Sequence, residues 1–188
     1  MGDIQSLKSF NNSDYNPGSS IKIAFWNIFL EFFFNTFIPY PSSLKCLILK
    51  IFGAKIGNRV IIKPRVRIKY PWLLSVGDDV WIGESVWIDN LDNVIIEDNV
   101  CLSQGAIIMC GSHNYKKPTF NLITSPIKIE SESWICAKSI VLQGVICKRG
   151  SILTASSVAK RNLEEYTQTN LTVTLQHFQL GCVGPPHL

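Results

Sequence analysis

A chain of 188 residues with 46% hydrophobic side chains has enough apolar material for one domain with a core, or for one domain and an appendage. Its net charge of +4 allows a preference for anionic ligands such as phosphates, but is too diffuse to indicate nucleic-acid binding. The six cysteines, at 46, 101, 110, 136, 147 and 182, form no Cys-x-x-Cys pair, which favours free thiols in a reducing compartment over a disulfide framework.

Residues 1–20 are polar, rich in Asn, Ser, Asp and Gly, and read as an extended arm rather than a cleavable signal peptide. Residues 21–39 form an apolar run interrupted at Asn27, Glu31 and Asn35. A polar residue every four positions lines one stripe of a helix, and Pro39 and Pro41 should end it. With Glu31 inside it the run is too short and too polar for a clean membrane span. Its aromatic face fits packing on the rest of the chain, packing on a neighbouring subunit, or an interfacial helix that touches a bilayer. The expected location is therefore cytoplasmic, with peripheral contact at the inner face of the cell membrane through residues 21–39 as the variant to test. Residues 43–52 suit a second short helix, closed by Gly53.

From residue 56 onward the chain keeps a six-residue beat. Aliphatic residues fall at Ile56, Ile62, Ile68, Val76, Ile82, Ile88, Ile96, Leu102 and Ile108, and the beat returns at Ile129, Ile135, Val141, Cys147 and Leu153. Four residues after most of these stands a small or β-branched side chain, among them Val60, Val80, Ala106, Ser133 and Ser157. A hexapeptide period predicts a parallel β-helix of about five turns over residues 56–158, an all-β class behind a short helical N-terminal segment at 1–55. Two small insertions, near YPWLLS and DNLDNV, should map to corners. The largest, at 109–128, should leave the prism as a long loop. The tail, 159–188, has no charged residue from Tyr166 onward, and TNLTVTLQHFQL alternates loosely as a strand would.

Of the three histidines, only His113 lies within the repeat region, at the start of the long loop. Imidazole is well suited to taking a proton from a hydroxyl near neutral pH, though position alone fits an ordinary surface histidine as well. A zinc site of three stacked histidines, as in a γ-type carbonic anhydrase, has too few ligands here, and no metal is expected.

The stretches FGAKIGNRVIIKPRVRIKYPW, VGDDVWIGESVWIDNL, CLSQGAIIMCGSHNY, PTFNLITSPIKI and WICAKSIVLQGV, with NNSDYNPGSS before them, resemble the hexapeptide-repeat O-acetyltransferases of colanic-acid and exopolysaccharide biosynthesis. These are relatives of the maltose, galactoside and nodulation-factor acetyltransferases. The resemblance covers about residues 10–166. It implies a left-handed β-helix, a homotrimer with clefts between prisms, and direct acetyl transfer from acetyl-CoA to a sugar. That acceptor could be free, lipid-linked or nucleotide-linked. It also implies His113 as general base and the Ala137 N–H as oxyanion donor. Asp89, Asn90, Asp92, Asn93 and Asn114 would bind the acceptor. Trp134, Cys136, Ala137, Ala155, Ser156, Lys160 and Arg161 would lie along CoA. Corner chemistry explains the Asp and Asn cluster equally well, and a small residue at a tight turn is the preferred reading of Cys136. Two departures stand out. Asn114 follows the histidine where relatives often carry Asp, and the Gly-Asn-Pro-Ala turn that follows the last coil in relatives is absent. Transfer to an amino sugar and a non-catalytic scaffold remain the alternatives.

Overall fold

A computed structural model describes residues 7–170. Three parallel sheets wind into a β-solenoid of about six turns, consistent with the left-handed β-helix that the resemblance implies. The first face stacks Lys55–Ile56, Leu74–Val76, Val94–Ile96, Ile127–Ile129 and Ile146–Cys147. The second stacks Ile61–Ile62, Trp81–Ile82, Cys101–Leu102, Trp134–Ile135, Ile152–Leu153 and Gln168–Thr169. The third stacks Arg67–Ile68, Trp87–Asp89, Ile107–Met109, Ile140–Leu142 and Val158–Ala159.

The register explains the beat. Ile56 pairs with Val76, Ile62 with Ile82 and Ile68 with Ile88, so each aliphatic sits on its equivalent one coil away. All of them point inward and are buried. The prism runs past the predicted end. Leu163 bridges to Cys147 on the first face and Gln168–Thr169 pairs with Ile152–Leu153 on the second, which adds a partial sixth coil. This coil is hard to see in the sequence because Asn162 to Thr167 lack the clear apolar spacing of earlier coils. Most of the alternating segment in the tail lies outside the described residues.

The corners carry a second regularity. Arg59, Arg65, Asp79, Ser85, Asn99, Glu132, Lys138 and Ser156 all have positive φ, each directly before the small inward residue. A non-glycine residue in that region costs roughly 1–2 kcal/mol. The cost is offset by a corner ladder: the N–H of Asp79 donates to the Asn58 carbonyl of the coil below, Asn99 to Asp78, and Ser156 to Ala137. Gly83 follows an aliphatic for a different reason. A Cβ there would lie 2.8 Å from the Leu102 carbonyl oxygen of the next coil.

The N-terminal helices close the solenoid. Helix α1 spans Ser20–Phe29 and passes into a π-helical turn at Leu30–Phe34, where the Asn35 N–H donates to the Leu30 carbonyl. The helix therefore stops five residues short of Pro39. The wide turn ends it, and the Asn35 amide bonds the Glu31 carboxylate, as their spacing suggested. Helix α2 spans Ser42–Ile51 and ends at Gly53, whose φ of +100° and 3.0 Å bond to the Lys50 carbonyl make the expected stop.

An open solenoid end exposes a row of unpaired backbone groups, and α2 satisfies them. Ser42 Oγ accepts from the Ile62 N–H at 3.0 Å. The fully buried Lys45 donates from Nζ to the Lys63 carbonyl at 2.9 Å and to the Ile62 carbonyl at 3.3 Å. Burial lowers the Lys45 pKa below the ordinary lysine value. Lys45→Ala leaves two acceptors unpaired, each worth about 1–3 kcal/mol when buried. Thermal unfolding should show a lower midpoint for this variant, whereas Lys50→Ala, with its exposed side chain, should match the parent.

No helix among the described residues is long and apolar enough to cross a membrane.

Candidate active site

Every long excursion leaves the prism at the corner between the third and first faces. Tyr70–Leu73, Asn90–Asn93 and the segment 110–126 stack there, one per coil, and Lys160 and Arg161 follow on the fifth. The longest excursion is an antiparallel hairpin. Gly111–His113 pairs with Leu122–Thr124, with His113 opposite Leu122.

His113 is fixed by the hairpin's return. Its Nδ1 lies 2.9 Å from the Phe120 carbonyl, and its ring stacks on the Phe120 ring with centroids 4.4 Å apart and planes 4° apart. A carbonyl oxygen only accepts, so Nδ1 carries a proton here, and in the neutral ring the lone pair falls on Nε2. Phe120 holds this position with a φ of +45°, an uncommon conformation for an aromatic residue. Such strain, of order 1–3 kcal/mol, persists where surrounding contacts enforce it. Here the Phe120 N–H bonds the Lys117 carbonyl and the Asn114 N–H bonds the Asn121 carbonyl.

The N-terminal arm crosses the same corner. The Phe10 ring stands 5.9 Å from the His113 ring, Ser9 Oγ donates to the Pro118 carbonyl, and Tyr15 Oη donates to the Leu91 carbonyl at 2.8 Å. Burial, then Tyr70, Asp89 and Asp92, raises the Tyr15 pKa well above the ordinary phenol value, so the hydroxyl remains a donor. Arm and hairpin enclose a cleft of about 320 Å³ lined by Asn11, Asn12, Asp14, Tyr15, Asn114, Lys117 and Asn121, among others. No periodicity in the sequence points to Asn11, Asp14 or Tyr15 as site residues. Their signal in the sequence is the resemblance carried by NNSDY.

The residues expected to bind the acceptor separate into four places. Asn114 lines the arm cleft. Asp89 lines a second cleft of about 240 Å³ on the third face, with Arg67, Lys69, Tyr70 and Trp87. The Lys69 ammonium is 3.0 Å from Asp89 Oδ1, yet that buried oxygen receives no well-directed hydrogen bond. Asp92 Oδ1 accepts from the Asn93 N–H and lies in a local turn. Asn90 differs from the expectation. It is fully buried, its Oδ1 accepts from the Lys69 and Tyr70 N–H groups, and its Nδ2 donates to the Tyr70 carbonyl. Its side chain joins two successive corners and leaves nothing for a ligand.

The residues expected along CoA also divide. Cys136 and Ala137 stack with Ala155 and Ser156 on the corner between the second and third faces. Trp134 stands just before this corner, half-exposed, with its indole N–H donating to Ser103 Oγ at 2.8 Å. The Ala137 carbonyl accepts from the Ser156 N–H, whereas its own N–H has no acceptor among the described residues. Burial, then the neighbouring Cys101, raises the Cys136 thiol pKa, which keeps it protonated and disfavours a nucleophilic role. Lys160 and Arg161 lie one corner further on, past the strand Val158–Ala159. Within one chain, then, the third face separates His113 from Ala137, a width of about 10 Å for three extended residues.

No family model matches the chain. The colanic acid biosynthesis acetyltransferase WcaF of Escherichia coli K12 is 30% identical over 161 residues, covering 85% of this chain and 88% of that protein. The chain belongs to this acetyltransferase family. Solved structures agree on the fold. Galactoside acetyltransferase in complex with coenzyme A superposes with a TM-score of 0.71 at 18% identity, over 88% of this chain and 84% of that one. A hexapeptide-repeat acetyltransferase of Vibrio cholerae, complexed with acetyl coenzyme A, superposes with a TM-score of 0.69 at 16% identity, over 88% of this chain and 91% of that one.

Proposed function

We propose that the chain transfers an acetyl group from acetyl-CoA to a sugar hydroxyl during exopolysaccharide or capsule assembly, with His113 as general base. The observation that carries this reading is the Phe120 carbonyl on Nδ1, which leaves Nε2 as the base. Nε2 takes the hydroxyl proton as the sugar oxygen attacks the thioester carbonyl. The Ala137 N–H stabilises the resulting oxyanion. As the tetrahedral intermediate collapses, the CoA sulfur leaves and takes the proton back from the imidazolium. No acyl-enzyme is needed. Incubation with acetyl-CoA and candidate glycans, followed through release of the CoA thiol, tests the reaction.

The acceptor has two supports. The arm cleft presents amides, a carboxylate and a phenol, the groups that pair with sugar hydroxyls, and the Asp89 Oδ1 is a buried acceptor without a well-directed donor. The separation of His113 from Ala137 supports an active site shared between copies, in the homotrimer that the family implies. The hairpin corner of one prism would face the Ala137 corner of its neighbour. Light scattering at micromolar concentration should give a trimer, and a monomer would contradict it. Contact with the membrane through residues 21–39 belongs to the same reading, since a lipid-linked acceptor would be met there.

Lys160 and Arg161 are exposed and close to the last coil, which suits pairing with the phosphates of CoA. Charge-assisted hydrogen bonds contribute about 1.5–3 kcal/mol each. Lys160→Glu with Arg161→Glu should therefore raise the KM for acetyl-CoA more than tenfold and that for the acceptor far less. The difference should shrink at high salt, because exposed charges are screened. A change confined to the acceptor's KM would place CoA elsewhere.

A further inference from the structure

Helix α1 and its π-helical extension bury one side and leave the other bare. Trp26, Leu30 and Phe34 are in the core, while Ile21, Phe25, Ile28 and Phe32 are 70%, 57%, 54% and 67% exposed. Steps of four, three and four residues place those four on one stripe. The surface carries on at Phe37, over whose ring the Arg65 guanidinium stands at 4.8 Å. On α2, exposed Leu47 and Ile51 flank the exposed Lys50. A folded chain rarely leaves this much aromatic and aliphatic surface uncovered.

The charge distribution indicates what covers it. Residues 1–70 hold ten of the eighteen Lys and Arg but only three of the fourteen Asp and Glu, a net charge of +7, while the rest of the chain is −3. Lys45 is buried, and Arg59 and Lys69 pair with Asp79 and Asp89 of the next coil, which reduces the excess, but the apolar stripe still lies at the basic end of the chain. Two copies meeting through this surface would bring like charges together, which opposes association. A bilayer with anionic headgroups matches both properties at once, since an interfacial helix sinks its apolar face into the acyl boundary while Lys and Arg meet the headgroups.

We infer that the Ile21–Phe32 stripe, rimmed by Lys22, Lys50 and Arg65, docks the enzyme on an anionic phospholipid surface. This rests on the membrane contact proposed above and adds the lipid class and the residues. Docking by this end leaves the hairpin and the last coils, which belong to later turns of the solenoid, out of the bilayer.

The test uses the full chain with sedimented vesicles, either pure phosphatidylcholine or phosphatidylcholine with an equal part of phosphatidylglycerol. The protein should sediment with the anionic vesicles and stay in solution with the neutral ones, and high salt should release it. Phe25→Ser with Phe32→Ser should weaken binding at least about tenfold. Lys50→Glu should weaken it about fivefold or more, since each basic residue at such a surface contributes about 1 kcal/mol. Acetylation of a soluble acceptor should be unchanged in all three proteins, so a failure of docking is distinguishable from a failure of the catalytic assignment. Equal binding to neutral vesicles, or no binding to either, overturns the inference. So does a double-serine variant that changes oligomeric state by light scattering without losing vesicle binding, because the stripe would then be a protein interface.

Discussion

His113→Ala should lose about 10²–10⁴ in the rate of acetyl transfer while retaining binding of acetyl-CoA. The reason lies in the hairpin. The ring is clamped between the Phe120 carbonyl at Nδ1 and the Phe120 ring face, so only Nε2 can act on a substrate. The substitution removes a side chain from a rim position that the core does not use, so the thermal midpoint should move little. Steady-state rates on wild type and variant, with CoA binding measured by calorimetry, separate loss of the base from loss of the fold. A variant with near-normal turnover would remove His113 from the mechanism. His113→Asn is the stricter comparison. Its amide N–H can still reach the Phe120 carbonyl, but it offers no basic nitrogen, so it should be as slow as the alanine variant.

The second large effect is expected at a backbone atom. Ala137 sits just before a positive-φ residue, Lys138, at a corner whose N–H has no acceptor among the described residues. The chain already shows what this position tolerates, because Pro64 stands at the same place in the first coil, just before positive-φ Arg65. Proline at that point of a tight turn matches its fixed φ. Ala137→Pro therefore deletes one hydrogen-bond donor and leaves the corner intact. Removing an oxyanion donor typically costs about 10²–10³ in kcat, and KM for acetyl-CoA should change less. Mixing subunits extends the test. If each site joins the hairpin of one copy to the Ala137 corner of the next, trimers assembled from His113→Ala and Ala137→Pro chains contain some junctions with both groups intact. Coexpressed mixtures should then recover a measurable fraction of activity. No recovery would place both groups in one chain.

The prism was legible because its rule is local and repeated. Ile56, Ile62 and Ile68 state the period, and each coil confirms it by stacking on the last. The sixth coil is not legible in the sequence because Leu163 alone carries the inward position on the first face there. Other features depend on partners far apart in the chain. Asn90 looked like a polar ligand in a cluster of polar residues, and only the stacking of coils shows that its amide is spent on Lys69 and Tyr70. The tautomer of His113 depends on a carbonyl seven residues away, at a backbone angle that nothing in the identity of Phe120 announces. The arm reaches its cleft through Tyr15 and Leu91, 76 residues apart, a distance over which periodicity says nothing.

Acetylation at this site should fall on a sugar hydroxyl. The most direct measurement is a mass-spectrometric screen of free, lipid-linked and nucleotide-linked glycans incubated with the protein and acetyl-CoA, each product then treated with mild alkali. Wild type, and not His113→Ala, should form a product heavier by one acetyl group, from which alkali removes the group as an ester. An alkali-stable product would be an amide and would make the enzyme an amino-sugar N-acyltransferase. Formation of the ester at equal rates by wild type and His113→Ala would contradict the assignment of the base and, with it, the site.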